Sequence, residues 1–79
     1  MTKSKEELRN VCANWDGKEP TFAQIVANYL EITGKDGRKA LGREFGAGKT
    51  TVLRWANGIN APHHHLLRVV IERIEQLLV

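Results

Sequence analysis

Apolar side chains recur at helical spacing in every segment of this chain that is long enough to show a period, and this pattern constrains the fold most. Leu8, Cys12 and Trp15 are one example, one turn apart along the first segment. No segment shows the alternation of apolar and polar residues that is typical of a half-buried strand. The pattern therefore predicts an all-α fold, a compact bundle of about five helices.

Capping patterns and breaks place the ends of these helices. Ser4 and Glu7 form the pattern of a capping box before the first helix, and Thr21 and Gln24 repeat it before the second. The Gly-Lys-Asp-Gly stretch at residues 34–37 predicts a turn from which the third helix starts. The predicted helices are residues 5–15, 22–32, 38–45, 49–56 and 63–78.

Length and composition limit the function. A chain of 79 residues, 42% of them hydrophobic and 27% charged, predicts a single globular domain over residues 1–79 with no room for a large substrate cavity. Cys12 is the only cysteine, which excludes an intramolecular disulfide and a cysteine-based zinc site within one chain, and we expect it to be a small buried apolar group. We therefore expect no enzyme, no cofactor and no small-molecule effector. No apolar run approaches the length of a membrane span, so we expect no membrane partner and a reducing cytosol.

The positive charge of the chain is concentrated in its middle. The net charge is +3, whereas residues 35–54 carry +4, residues 1–34 carry −1 and residues 55–79 are neutral. The bases of the middle segment are Lys35, Arg38, Lys39, Arg43, Lys49 and Arg54. A basic stretch of this kind indicates a polyanionic partner.

The same stretch has the spacing of a helix-turn-helix, predicted over residues 38–57. Two short helices are joined by Gly46-Ala47-Gly48, and Gly46 is expected to adopt a positive φ in the turn. Gly42 lies where only a small side chain lets the two helices approach. The positions expected to face the core are Leu41, Phe45, Val52 and Trp55.

The second of these helices is predicted to carry the recognition chemistry. With Val52 and Trp55 turned inward, Lys49, Thr50, Leu53 and Arg54 are left for the outer surface. Arginine and lysine can donate to guanine O6 and N7, and threonine can offer a hydroxyl or a methyl group to a base. Lys39 and Arg43 on the preceding helix are candidate phosphate contacts.

The stretch Ala-Leu-Gly-Arg-Glu-Phe-Gly-Ala-Gly-Lys-Thr-Thr-Val-Leu-Arg-Trp-Ala-Asn-Gly at residues 40–58, with Pro62 four residues later, resembles the core segment of Cro/repressor-type (XRE-type) helix-turn-helix regulators of phages, plasmids and bacteria. The resemblance covers about residues 38–67 and implies a lambda-repressor-like DNA-binding fold. It implies that Lys49, Thr50, Thr51 and Arg54 face bases or phosphates. Arg38 replaces the usual glutamine, which contacts the DNA backbone or an edge base, and Gly48 replaces a serine-like cap.

The resemblance and the basic stretch together predict a double-stranded DNA-binding transcriptional regulator, a repressor in the bacterial cytosol or nucleoid. The predicted C-terminal helix, about residues 63–78, has an apolar stripe broader than one core contact needs, which favours a homodimer and a palindromic operator with half-sites ~34 Å apart. The alternative is a protein-interaction module or antitoxin that binds a protein partner with that helix.

Two further patterns could indicate a nucleotide site and a metal site, and the residues argue against both. Gly46 to Thr51 resembles part of a nucleotide-binding P-loop, but Arg43 stands where its first glycine belongs and no strand precedes it. His63, His64 and His65 are consecutive, and because helical residues fan out by about 100° each, we expect them to diverge and to form no metal site.

Overall fold

The computed structural model describes residues 4–79, and this part of the chain contains four α-helices and no strand. The helices are α1 (Lys5–Ala13), α2 (Glu19–Phe45), α3 (Lys49–Ala56) and α4 (His64–Leu77). The predicted all-α class is confirmed. Residues 1–3 of the predicted domain lie outside the described residues.

The first helix begins where its capping pattern predicted. Ser4 Oγ accepts from the amide of Glu7, and the Glu7 carboxylate accepts from the amide of Ser4, so both bonds of the capping box form. The helix ends at Ala13 rather than at Trp15. Trp15 is nevertheless buried, and its indole N–H donates to the carbonyl of Lys18.

The second capping box is wrong, because α2 begins at Glu19 with Pro20 in its first turn. Thr21 therefore lies inside the helix, where its hydroxyl donates to the carboxylate of Asp16 and contacts the carbonyl of Lys18. The Thr21 hydroxyl and the Lys18 amide both donate to Asp16 and lower the pKa of its carboxyl group. These hydrogen bonds to Asp16 thus fix the conformation of the connection between α1 and α2.

The break predicted over residues 34–37 is confined to one residue. Gly34 has φ 67° and ψ −149°, which are not helical values, so the predicted break is present. Helical backbone resumes at Lys35 rather than at Arg38, and the two helical segments together are α2. Gly37 is helical and buried, and the Tyr29 hydroxyl donates to its carbonyl over 2.8 Å. This buried hydrogen bond joins the two halves of α2 across the kink.

Helix α2 is the centre of the fold and packs against the other three helices, while α1 also contacts α4. Among the helices of residues 4–79, the backbone of α3 comes close to α2 alone. The core consists of Leu8, Cys12, Trp15, Phe22, Ile25, Val26, Tyr29, Leu41, Val52, Trp55, Leu67, Val70, Ile71, Ile74 and Leu78. None of the four described helices combines the length and the apolar character needed to cross a bilayer.

Candidate nucleic-acid interface

The turn before α3 is tight, and two glycines make it possible. Gly46 ends α2 in the left-handed region at φ 62° and ψ 27°, which confirms the positive φ predicted for it. The amide of Ala47 donates to the carbonyl of Gly42 over 2.8 Å. A Cβ atom on Gly42 would lie 2.4 Å from the carbonyl oxygen of Ala47, so the need for a small residue there is confirmed and comes from the turn itself.

Helix α3 has one apolar face and one polar face. In steps of about 100° per residue, Lys49, Leu53, Thr50 and Arg54 fall within an arc of about 140°, and all four are exposed. Val52 and Trp55 lie on the opposite side with 0% and 5% exposure. The α3 bounds, its buried pair and its exposed set all agree with the sequence prediction.

Trp55 anchors the apolar face of α3 in the core. Its ring meets that of Phe22 edge to face, with 6.3 Å between the ring centroids. Thr51 is half-buried at the edge of this face, so of the four predicted α3 contact residues it is the one turned away from the exposed arc. Leu53 lies in the middle of that arc and is 37% exposed.

The three predicted contact residues of α2 also differ in exposure. Lys39 and Arg43 are exposed and one helical turn apart, so they share a face. Arg38 is half-buried, which places it closer to the core side of α2. The structure thus leaves five of the seven predicted contact residues exposed: Lys39, Arg43, Lys49, Thr50 and Arg54.

The basic side chains on these two helices carry uncompensated charge. Among the described residues, the ion pair that forms joins Glu44 to Arg73 of α4 over 3.1 Å, and it includes none of the predicted contact residues. Of the two acidic residues in the second half of α2, Glu44 therefore pairs with α4, whereas Asp36 is exposed one turn before Lys39. The positive charges of Lys39, Arg43, Lys49 and Arg54 remain available to an anionic partner.

The histidines do not diverge as expected. His63 is the N-cap residue of α4 and has non-helical backbone angles, φ −50° and ψ 141°, so the helical fan of 100° per residue does not apply to it. The ring centroids of the three imidazoles lie 4.0 to 4.7 Å apart. Pro62, which precedes the cap, is the sequence signal that could have indicated this geometry.

An open groove of about 570 Å³ lies between the start of α2 and the loop that follows α3. Its lining includes Pro20, Ala23, Trp55 and Ile59, and Glu19 is the one titratable residue in it. Lys49 and the preceding glycines follow a helix rather than a strand, unlike a P-loop.

Comparisons with models of protein families, with curated proteins and with solved structures gave no match for this chain.

Proposed function

We propose that this chain is a sequence-specific, double-stranded DNA-binding transcriptional regulator that represses by occupying an operator. The second half of α2, the turn at Gly46 and α3 would form its helix-turn-helix, with α3 in the major groove and α2 bracing it against the DNA backbone. A Cro/repressor-type regulator of this kind works in the bacterial cytosol or nucleoid.

One observation carries the proposal: the exposed arc of α3 combines Lys49, Thr50 and Arg54 with no acidic residue, while Val52 and Trp55 hold the opposite face in the core. A helix must be anchored on one side and free on the other to enter a groove. Hydrogen-bond donors for guanine and a threonine for other base edges are the chemistry that base recognition needs. Lys39 and Arg43 add phosphate contacts beside it.

The proposal predicts binding to DNA from the promoter of its own coding sequence, measured by gel shift or fluorescence anisotropy. The affinity is expected to fall steeply with salt, because each phosphate contact releases counterions and contributes about −0.9 to the slope of log K against log salt. Binding that is absent at low salt, or equal for all duplex sequences, would contradict specific recognition.

Arg54→Ala and Lys39→Ala are expected to weaken DNA binding in different ways. Arg54 is on the exposed arc of α3, so its loss should cost about 1–3 kcal/mol and relax the preference at one base pair. Lys39 is on α2, so its loss should weaken all sequences alike and reduce the magnitude of the salt slope by about 1. Anisotropy titrations with operator and scrambled duplexes at several salt concentrations measure both effects.

Arg9→Ala provides the matched control, because it also removes one exposed positive charge but lies on α1, a helix that does not come close to α3. This variant should leave the ratio of the affinities for operator and scrambled duplexes unchanged. If Arg54→Ala and Lys39→Ala both bind operator as the wild type does, the assignment of this face is incorrect.

We also propose a homodimer formed through α4. Leu66, Val69 and Leu77 lie within about 80° of one another on this helix, and Leu66 and Val69 are 43% and 47% exposed. Val69→Glu is expected to shift the protein to monomer and to weaken operator binding, as measured by sedimentation equilibrium and gel shift. A wild-type monomer well above micromolar concentration would remove the dimer.

The same exposed apolar residues favour the second candidate function, a protein-interaction module or antitoxin in which α4 binds a protein partner. A module that binds only protein predicts no specific DNA binding, whereas an antitoxin would combine both roles. The salt-dependent DNA titration therefore separates DNA recognition from a purely protein-binding role.

A further inference from the structure

The histidine cluster at the start of α4 has no part in the proposed DNA interface, yet its geometry is that of a ligand set. The nitrogens that His63, His64 and His65 can each offer lie within 4.8 Å of one another, and all three side chains are exposed. They are also the only three histidines in the chain. Among residues 4–79, no other group of three histidine, cysteine or acidic side chains is arranged in this way.

Imidazole nitrogens are favourable ligands for zinc, nickel and copper. A tetrahedral Zn²⁺ ion with Zn–N distances of 2.0–2.1 Å requires about 3.3 Å between its ligand nitrogens. The cluster must therefore close by about 1.5 Å at its widest, which exposed side chains can achieve by rotation about χ1 and χ2.

One backbone hydrogen bond positions the His63 ring before any ion binds. His63 caps α4, and its Nδ1 accepts from the amide of His65 over 3.3 Å, which is a long hydrogen bond. An ion bound at Nδ1 would replace this bond, and an ion bound at Nε2 would require the ring proton to sit on Nδ1. His64 and His65 occupy the first turn of the helix, so the three ligands span the junction between loop and helix.

Cys12, the one thiol in the chain, does not compete for the ion. It is 3% exposed, and burial raises the pKa of its thiol to about 11, so the thiolate that binds metals is scarce at neutral pH. Two effects oppose binding, namely the partial positive charge at the N-terminus of α4 and the loss of the cap bond from the His65 amide to His63 Nδ1. The site is therefore weaker than the closed four-ligand sites of zinc-stabilised domains.

We propose that His63, His64 and His65 together bind one divalent transition-metal ion, of the Zn²⁺ or Ni²⁺ class, with water in the remaining coordination positions. The proposal does not depend on DNA binding. The ion would join the end of the α3–α4 loop to the first turn of α4.

Calorimetric titration of the full chain with ZnCl₂ and with NiCl₂ at pH 7.5 tests the proposal. We expect one ion per chain, and we expect the ring-proton NMR signals of all three histidines to respond together. Each of His63→Ala, His64→Ala and His65→Ala should reduce the affinity at least about tenfold, since each removes one of three ligands. Asn60→Ala, an exposed change in the adjacent loop, is the matched control and should keep the wild-type affinity.

A titration in urea separates a site built by the fold from a property of the His-His-His sequence alone. The folded chain should bind at least about tenfold more tightly than the unfolded chain, because folding positions the ligands. Equal affinities, one ion shared between two chains, or a single histidine variant with unchanged affinity would each overturn the proposal.

Discussion

Trp55→Ala is expected to lower the free energy of unfolding by about 3–5 kcal/mol, the usual cost of removing a large buried aromatic side chain. Trp55 is 5% exposed and makes the edge-to-face contact with Phe22 that joins α3 to α2. Among the described residues, α3 comes close to no helix other than α2. The substitution therefore weakens the one helix–helix contact that holds α3 in place. A domain of this size is stable by about 4–12 kcal/mol, so most of the stability should be lost. Urea unfolding followed by circular dichroism measures the change.

Leu53→Ala is the control for this experiment, because Leu53 lies on the same helix and faces outward. It should cost about 1–2 kcal/mol, clearly less than Trp55→Ala, since the Leu53 side chain is 37% exposed and its truncation removes less buried apolar area. Equal losses for Trp55→Ala and Leu53→Ala would contradict the orientation of α3, and with it the proposed DNA interface.

Gly42→Val is expected to destabilise the protein by about 2–3 kcal/mol through overpacking. The added Cβ would lie 2.4 Å from the carbonyl oxygen of Ala47, a backbone atom that cannot rotate away. Moving the turn would also break the bond from the Ala47 amide to the Gly42 carbonyl. For a domain of this size the expected fall in Tm is about 10–20 °C, measured by thermal denaturation.

Gly48→Ser is the matched control in the same turn. A Cβ on Gly48 meets no atom within 4 Å, and Gly48 is the N-cap of α3 at φ −77°. Serine is a good N-cap residue, so stability should stay the same or rise by a few tenths of a kcal/mol, about the gain expected over glycine. If Gly42→Val unfolds at the wild-type temperature, the close approach of α2 and the turn is not required.

Much of the candidate interface could be predicted because its determinants are local. The bounds of α3, the left-handed Gly46 and the burial of Val52 and Trp55 follow from helical periodicity and from a glycine at the turn. The exposed arc followed from the same periodicity, since burying one face of a short helix exposes the other.

The start of α2 was missed because two local signals compete. Thr21 looks like an N-cap residue in the sequence, but Pro20 suits a first helical turn, and α2 begins at Glu19. Gly34 was a local signal for the break, which the structure confirms at that residue. The hydrogen bond from the Tyr29 hydroxyl to the Gly37 carbonyl, which joins the two parts of α2, is not indicated by any local pattern.

Residue periodicity and turn chemistry were thus sufficient to establish an all-helical chain with a basic, outward-facing α3, because each of these properties depends on neighbours within about one helical turn. The half-burial of Arg38 and Thr51 and the hydrogen bond from Tyr29 to Gly37 depend on how helical segments meet in space. They arise from packing and from a hydrogen bond between residues more than one helical turn apart, which no local pattern encodes.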